Sequence, residues 1–522
     1  MQKRPASIFN DVIGPIMRGP SSSHVAGAAR IGSLIRQSLQ GEPKRIVVEF
    51  DVNGSLAESY HGHGTDIGFA CGILGMELTD PSVQHACEMA RHQGIDIQYV
   101  ISDYGAAHPN NYRMEVHDQA GKMHVWEAIS VGGGMIEMVK FDGFDLSVCG
   151  DFHEVLLVTD AGGPALEKTV ETVRNIMGQY EDLVSVSGPS QSLINVKTTH
   201  PPDPSLLEKL RSLPETVEVI SLQPILPTLS RANCQVPFST AAELLEQARK
   251  DQKEMWEMAV LYESMRGNTT EQDVLDKMNR LIDIMEHAVQ EGLAGTSYAD
   301  RILGPQAHKV KAGMASGRLL PGDILNRAIT YITAIMEVKS AMGVIVAAPT
   351  AGSCGCLPGT LLAAGQSLNL PREEIVKGML AAGLIGVFIS EGATFAAEVA
   401  GCQVECGAGS GMAAAGLVQL CHGTVEQCVD AASMALQNVT GLACDPVANR
   451  VEVPCLGKNI MGGSNAIASA NMALAGFDKV IPLDETIGAL YDIGLKLPLE
   501  LRCTFGGLGK TNTSITISKR LS

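Results

Sequence analysis

The chain has 522 residues, of which 45% are hydrophobic and 18% charged, and its formal net charge is −18 at pH 7. This length predicts two to four domains, and the composition excludes a disordered chain. The acidic balance argues against nucleic acid or an anionic membrane as the main partner, because both attract basic surfaces.

The cysteines favour a reducing compartment, and the apolar runs argue against a membrane-spanning segment. The thirteen cysteines are an odd number, and the amino terminus shows no apolar segment followed by a cleavage site. Reduced thiols are therefore expected rather than a disulfide framework. The longest apolar run, at 378–389, is too short to cross a bilayer and predicts a buried core helix. We expect a cytoplasmic protein without a membrane partner.

Residues 1–150 predict an α+β domain. Short β-rich runs at 45–50 and 95–100 alternate with glycine-rich turns and with helical patterns around 26–39 and 79–93.

Residues 151–228 predict the order β-α-β-β-α-β, which is typical of ferredoxin-like folds. The segment also resembles small regulatory domains of the ACT type, and a purely structural spacer is the alternative. The predicted strands lie at 153–159, 183–187, 192–198 and 217–222, and the predicted helices at 165–177 and 204–212.

Residues 237–522 predict a mostly α-helical domain, because apolar residues recur there with a 3.6-residue period. The predicted helices lie at 240–266, 270–291, 323–339, 372–389, 409–422, 426–438 and 466–476. The fold class is therefore multidomain α+β, with the helical domain as the catalytic candidate, since nine of the thirteen cysteines lie between Cys354 and Cys503.

Three of these cysteines, Cys402, Cys444 and Cys455, lie in loops that contain Gly or Pro. Such loops can turn thiolates toward one metal, whereas cysteines inside predicted helices, such as Cys421 and Cys428, usually fill a core. The spacing matches no ferredoxin-like run, so the pattern alone leaves open a metal or cluster site and reduced core cysteines.

A run of hydroxyl groups precedes the first predicted helix. Ser21, Ser22, Ser23 and His24 follow a Gly-Pro turn, where side-chain and backbone donors at a helix start can bind a carboxylate. Ordinary helix capping is the alternative, but it requires only one serine.

A second polar motif, at 61–66, places two histidines between glycines. Glycines let a ligand or the backbone approach closely, and a histidine can serve as a base or a metal ligand near neutral pH. A metal pair, a general base and a simple turn all remain open.

Short segments from both ends of the chain form a joint pattern, at 7–15, 19–24, 62–66, 348–353, 391–393, 401–403, 444–447, 452–455 and 506–508. Together they resemble the iron–sulfur-dependent L-serine dehydratases (L-serine ammonia-lyases), in the form that fuses the beta and alpha regions. The resemblance implies elimination of water from L-serine, giving pyruvate and ammonia.

The resemblance also implies a [4Fe–4S] cluster held by Cys402, Cys444 and Cys455, with one iron open to substrate. His63 is the implied general base, and His24 is the implied orienting residue. The residues implied to bind the substrate are Ser21, Ser22, Ser23 and Thr65. Because these motifs are remote in sequence, we expect the site between the first and last domains, within one chain or across a homodimer.

Several alternatives stay open at this point. A related elimination on threonine or cysteine fits the same pattern, and an amino-acid or redox sensor is a non-catalytic alternative. A pyridoxal-phosphate lyase is disfavoured, since the glycines at 132–134 have no lysine in a suitable setting. The last residues contain no cysteine, although in some relatives one there fills the open iron position. The roles of Cys354, Cys356, Cys406 and Cys503 are unassigned.

Overall fold

The computed structural model describes residues 4–39 and 41–521, and its amino-terminal part is rich in strands. The elements are β1 (Ile16–Arg18), α1 (Gly27–Ser38), β2 (Pro43–Asp51), α2 (Leu56–Ser59), α3 (Thr65–Ile73), α4 (Ala86–His92), β3 (Asp96–Ser102), β4 (Asn111–Asp118), β5 (Met123–Gly132), β6 (Met135–Phe141) and β7 (Phe144–Val148). Six strands form one sheet in the order β3-β2-β4-β5-β6-β7, in which β2 and β3 are parallel. Alternate residues of β4 and β5 are buried, so one sheet face packs against α1 and α3.

The next part has the order β-α-β-β-α-β that the sequence predicts. It comprises β8 (His153–Thr159), α5 (Pro164–Met177), β9 (Asp182–Ser187), β10 (Ser192–Thr198), α6 (Pro204–Arg211) and β11 (Thr216–Leu222). Its antiparallel sheet has the order β11-β8-β10-β9. Every residue of β10 is buried, because one sheet face packs against α5 and α6 and the other joins the core of the amino-terminal sheet.

The remainder is mostly helical. It comprises α7 (Ala241–Asp251), α8 (Met255–Gly267), α9 (Glu271–Ala294), α10 (Ala307–Ala315), α11 (Asp323–Ser340), β12 (Val344–Val346), α12 (Cys356–Ser367), α13 (Arg372–Gly392), α14 (Ala397–Ala400), α15 (Cys406–Leu420), α16 (Val425–Gln437), α17 (Cys455–Leu474), α18 (Leu483–Leu495) and α19 (Asn512–Leu521). Helix α15 is buried along its whole length. Small residues allow this, since a Cβ on Gly416 would lie 2.8 Å from the Gly378 carbonyl oxygen of α13.

Helix α13 is long and apolar enough to span a membrane by length and composition, but 78% of its apolar window is buried inside the protein. The core helix predicted for 378–389 is therefore confirmed. The single helix predicted for 240–266 is wrong. The chain breaks between α7 and α8, because Gln252 adopts a left-handed conformation (φ 53°) and Glu254 caps the next helix.

The chain's first residues pack into the helical part rather than into the amino-terminal sheet. Strand β1 pairs antiparallel with β12, and Ile16 lies opposite Val346. Side chains between Ala6 and Ala26 belong to the same apolar core as α8, α13 and α15. This arrangement brings the serine-rich motif beside the cysteine-bearing loops.

Candidate active site

His24 lies in a short π-helical segment, Ser22–Ala26, that leads into α1, and its side chain is fully buried. Its Nε2 is 2.8 Å from Ser59 Oγ, and its Nδ1 is 2.9 Å from Ser21 Oγ. Because the Ser59 hydroxyl donates to the Ser55 carbonyl oxygen, it accepts from Nε2–H, and Nδ1 accepts from Ser21. Burial, with His63 nearby, holds the pKa of His24 well below its ordinary value, so the imidazole is neutral.

His63 lies in the turn before α3, with its ring centroid 4.6 Å from that of His24. The side chain is buried, and neither ring nitrogen forms a hydrogen bond of normal geometry with any residue that the structure describes, although the Asn449 side chain lies near enough to favour the protonated ring. Burial, with repulsion from Arg450 and Lys339, lowers the pKa of His63 to about 3. A neutral imidazole can accept a proton, but with a pKa of about 3 it is a weak base, so His63 can act as the base only where a bound anionic group raises this pKa.

The other sequence-predicted residues of this motif have different surroundings. Ser22 Oγ accepts a hydrogen bond from the Ala351 amide at 3.2 Å, which joins the motif to the helical part. Ser23 is buried, and its carbonyl oxygen accepts from Ser130 Oγ. Thr65 Oγ1 is buried at the start of α3 with no hydrogen-bond partner in the described parts of the chain.

Three residues that the sequence motifs do not include lie near Thr65 and His24. Asn110 Nδ2, Tyr112 OH and Glu398 Oε2 are buried without a hydrogen-bond partner among residues 4–39 and 41–521. These side chains lie close to one another, since Tyr112 is within weak hydrogen-bonding reach of Thr65, and Asn110 is within such reach of Glu398, although neither pair has normal hydrogen-bond geometry. Buried polar atoms are nearly always paired in folded proteins, so this group of atoms is a candidate ligand-binding site, which is called the histidine pocket below.

The cysteines form a second buried group beside this pocket. Cys402 lies in a 3-10 turn, Cys444 in a loop, and Cys455 at the start of α17. The Cys402 and Cys444 sulfurs and a Glu405 carboxylate oxygen all lie within 4.8 Å of one another. Among the described residues Cys455 lies outside that trio, but its thiol interacts electrostatically with Cys402.

Two thiols that the sequence left unassigned also belong to this group. Cys406 shares a hydrogen bond with Cys402, and Cys503 shares one with Cys444. The backbone fixes Cys503, because its amide donates to the Cys444 carbonyl oxygen at 2.9 Å. The short spacing from Cys402 is a signal that could have found Cys406, whereas nothing in the spacing indicates Cys503.

The remaining cysteine predictions have mixed outcomes. Cys428 is fully buried, as predicted. The prediction that Cys421 fills the core is wrong, because this residue follows the last turn of α15 and is exposed. Cys354 and Cys356 are buried and, among the described residues, do not belong to the trio; Cys354 Sγ is 3.8 Å from Met336 Sδ.

The donor set suits a sulfur-ligated metal cluster. Hydrogen bonds from Cys406 and Cys444, reinforced by the positive charge of Lys458, hold the pKa of Cys402 well below its ordinary value. A buried thiolate is stable only beside compensating positive charge, and grouped thiolates are the usual ligands of iron–sulfur clusters.

Glu398 connects the two groups. It lies in α14, four residues before Cys402, and its Oε1 is 3.6 Å from His24 Nδ1. The histidine pocket of the amino-terminal part therefore faces the thiols of the helical part.

Comparison with known proteins gives matches over both parts of the chain. The serine dehydratase alpha chain family matches residues 240–508, and the serine dehydratase beta chain family matches residues 12–140. A probable L-serine dehydratase alpha chain of Bacillus subtilis is 40% identical over 54% of this chain and 95% of its own length. The corresponding probable beta chain is 35% identical over 41% of this chain and 97% of its own length. An L-serine dehydratase of Streptomyces coelicolor is 25% identical over 94% of this chain and 95% of its own length.

Proposed function

Because this chain belongs to the serine dehydratase family, with the beta and alpha regions fused, we propose that it eliminates water from L-serine to give pyruvate and ammonia. The observation that carries the proposal is the position of Glu398, which lies 3.6 Å from His24, the ring neighbour of His63, and interacts electrostatically with Cys402 of the thiol group. The histidines and the thiols come from opposite ends of the chain, and a β-elimination needs a base on one side of the substrate and assistance to the leaving group on the other.

The cofactor in this proposal is a [4Fe–4S] cluster held by Cys402, Cys444 and Cys455. When bound, a cluster with one open iron position supplies a Lewis acid for the departing β-hydroxyl group. The buried thiols and the nearby Lys458 support this assignment. Cys406 is the competing third ligand, since its thiol contacts Cys402 directly.

His63 is the proposed base for the α-proton of serine. Its imidazole is neutral and buried, and within the part of the chain that the structure describes neither nitrogen has a hydrogen bond of normal geometry, so the carboxylate of a bound substrate can raise its low pKa and make it the base. His24, fixed by Ser21 and Ser59, is proposed to hold the neighbouring ring in place. Burial of both histidines excludes water from the proton transfer. The released enamine tautomerises and hydrolyses in solution.

The test is anaerobic purification followed by measurements of iron, sulfide and visible absorption, together with assays of 2-oxo acid release from serine, threonine and cysteine. Cys402→Ser, Cys444→Ser and Cys455→Ser should each lose iron and activity, whereas Cys421→Ser, at an exposed cysteine, should keep both. If Cys406→Ser loses iron and Cys455→Ser does not, Cys406 is the third ligand. Fully active protein without iron would contradict the cluster, and iron-loaded protein without serine turnover would contradict the substrate.

We also propose that residues 151–228 are an ACT-type domain that binds an amino acid. The strand order β11-β8-β10-β9 with both helices on one face supports this proposal. The glycine turn before α5, where Gly163 has φ 52°, is the candidate binding segment. Gly163→Ala should weaken any cooperativity of the rate with respect to serine concentration, and identical kinetics in both proteins would count against regulation.

A further inference from the structure

The carboxylate of Glu398 is buried between the histidine pair and the thiol group. The residue is 4% exposed, and its Oε2 has no hydrogen-bond partner within the described residues. No Lys or Arg in those residues forms an ion pair with it. Burying an ionised carboxylate there costs free energy unless a cation or a hydrogen-bond donor pairs with it.

His24 does not supply that cation. Its Nε2–H donates to Ser59, and its Nδ1 accepts from Ser21, so both nitrogens are occupied in the neutral ring. The distance from His24 Nδ1 to Glu398 Oε1, 3.6 Å, is also too long for a good hydrogen bond. Burial raises the pKa of Glu398, which favours its neutral form, so an ammonium group of a bound ligand would supply the positive charge that an ionised Glu398 needs.

Residues next to Glu398 supply donors. Asn110 Oδ1 accepts from Ser55 Oγ at 2.5 Å, which fixes the amide with Nδ2 near Glu398 but without a partner of normal hydrogen-bond geometry in the described residues. The Tyr112 hydroxyl is likewise unpartnered among the described residues. A free α-amino acid presents one ammonium and one carboxylate, and these two groups match an acceptor and a pair of donors.

We propose that Glu398 binds the α-ammonium group of the amino-acid substrate, while Asn110 and Tyr112 donate hydrogen bonds to its carboxylate. This inference rests on the proposed function and assigns the ammonium to a residue that no motif indicated. Glu398 lies 3.6 Å from His24 and interacts electrostatically with Cys402, so an amino acid bound there would have its α-carbon on the histidine side and its β-carbon on the thiol side.

The consequence is a strong preference for amino acids over hydroxy acids. L-Glycerate has the shape of L-serine but carries a hydroxyl group in place of the ammonium. It would leave Glu398 buried and unpaired, and loss of the partner of a buried charge reduces affinity strongly.

The test compares L-serine and L-glycerate as ligands of the iron-loaded enzyme. L-Serine should bind the wild-type protein at least about 10-fold more tightly than L-glycerate does, since a charge-assisted hydrogen bond contributes about 1.5–3 kcal/mol. Glu398→Gln should weaken the binding of L-serine at least about 10-fold, seen as a higher KM. It should leave the inhibition constant of L-glycerate unchanged or lower. Tyr112→Phe should weaken the binding of both ligands to the same extent, because both carry the carboxylate group.

The matched control is Glu405→Gln. Glu405 is also close to Cys402, but it accepts a hydrogen bond from Thr350 at 2.8 Å. Its variant should leave the serine-to-glycerate ratio unchanged even if iron content falls. Equal affinity of the wild-type enzyme for the two ligands, or equal weakening of both by Glu398→Gln, would overturn the inference. If the Glu398→Gln protein loses iron, the inference is judged by the ratio of the wild-type affinities for L-serine and L-glycerate.

The proposed function and the proposed role of Glu398 can be refuted separately. Turnover of serine without a preference for the ammonium-bearing ligand refutes the role of Glu398 and leaves the proposed function standing. Iron-loaded protein that neither binds nor converts any amino acid refutes both.

Discussion

Two buried histidines 4.6 Å apart differ in what their ring nitrogens contact. Both nitrogens of His24 are engaged by serines, whereas those of His63 have no partner in the described residues. This difference is the basis of the proposed roles, in which His24 positions its neighbour and His63 takes the proton.

We predict that His63→Gln lowers kcat by about 10²- to 10⁴-fold, which is the usual contribution of a general base. Iron content and L-serine affinity should change little, because the side chain holds neither the thiols nor another residue. His61→Gln is the control, since His61 is exposed and paired with Asp66. A His63→Gln enzyme with near-normal kcat would show that another group takes the proton.

The residues of the candidate site differ in how far the sequence could indicate them. His24, His63, Cys402 and Cys444 stand in short motifs whose composition is unusual for a turn or a core, so the sequence could single them out. Asn110, Tyr112, Glu398 and Cys503 could not be found that way, because each is one ordinary residue whose importance comes from neighbours far along the chain. The unusual feature of Glu398 is a single acid within the apolar run before Cys402.

At the scale of elements, the sheet-rich amino-terminal part, the β-α-β-β-α-β order and the helical remainder follow from hydrophobic periodicity. The pairing of β1 with β12 and the break between α7 and α8 could not be predicted. A three-residue strand has too little periodicity to recognise, and the left-handed Gln252 interrupts an otherwise continuous helical pattern.

The contact between α1 and α3 sets the distance between the two histidines. A Cβ on Gly72 would lie 2.0 Å from the Ala29 carbonyl oxygen of α1. We predict that Gly72→Ala destabilises the protein by about 1–3 kcal/mol through overpacking and lowers kcat by separating His63 from His24.

The control for Gly72→Ala is Gly488→Ala in α18, where an added Cβ meets nothing within 4 Å. This change should be neutral or stabilising by up to about 1 kcal/mol, since glycine is a poor helix former. Thermal unfolding and serine kinetics of both variants provide the comparison, and an equal response would contradict the close-contact explanation.

The amino-terminal and middle sheets are joined by a buried imidazolium. His124 Nδ1 is 2.7 Å from Asp142, and its Nε2 is 3.5 Å from Glu218 of β11. Burial alone would lower its pKa, but the hydrogen bonds to Asp142 and Glu218 outweigh this and raise the pKa of His124 to about 9. Since an unfolded histidine has a pKa of about 6.5, the native state holds a proton that the unfolded state releases between pH 6.5 and 9.

We therefore predict that this stabilisation is complete below pH 6.5 and is lost as the pH rises through 9. His124→Gln should cost on the order of 1–2 kcal/mol at pH 6, after allowance for solvent screening, and much less at pH 9.5. Urea unfolding at the two pH values measures the difference, with the partly exposed His117→Gln as control. A cost that does not change with pH would show that His124 contributes only packing.

At the scale of the whole molecule, the histidine pocket and the thiol group come from parts of the chain that resemble separate alpha and beta chains of relatives. The loop at 231–236, between these parts, is at least partly exposed throughout. The covalent link therefore brings together halves that already fit each other.

We predict that residues 1–233 and 234–522, coexpressed as two chains, associate and recover iron binding and serine turnover. Each half alone should be inactive, because the amino-terminal residues complete the apolar core of the helical part. Copurification through a tag on one half and an assay of the product provide the measurement. Full activity of residues 234–522 alone would contradict a site built from both parts.

The hydrogen bond between Ser22 and Ala351 joins residues 329 positions apart. During synthesis at about 5–20 residues per second, the amino-terminal segment leaves the ribosome roughly 15–70 s before its partners exist. Ile8, Phe9, Val12 and Ile13, all buried in the finished protein, face water during that interval. The nascent chain is then most prone to misassociation, and a chaperone that shields its first thirty residues would raise the yield more than one acting on the completed chain.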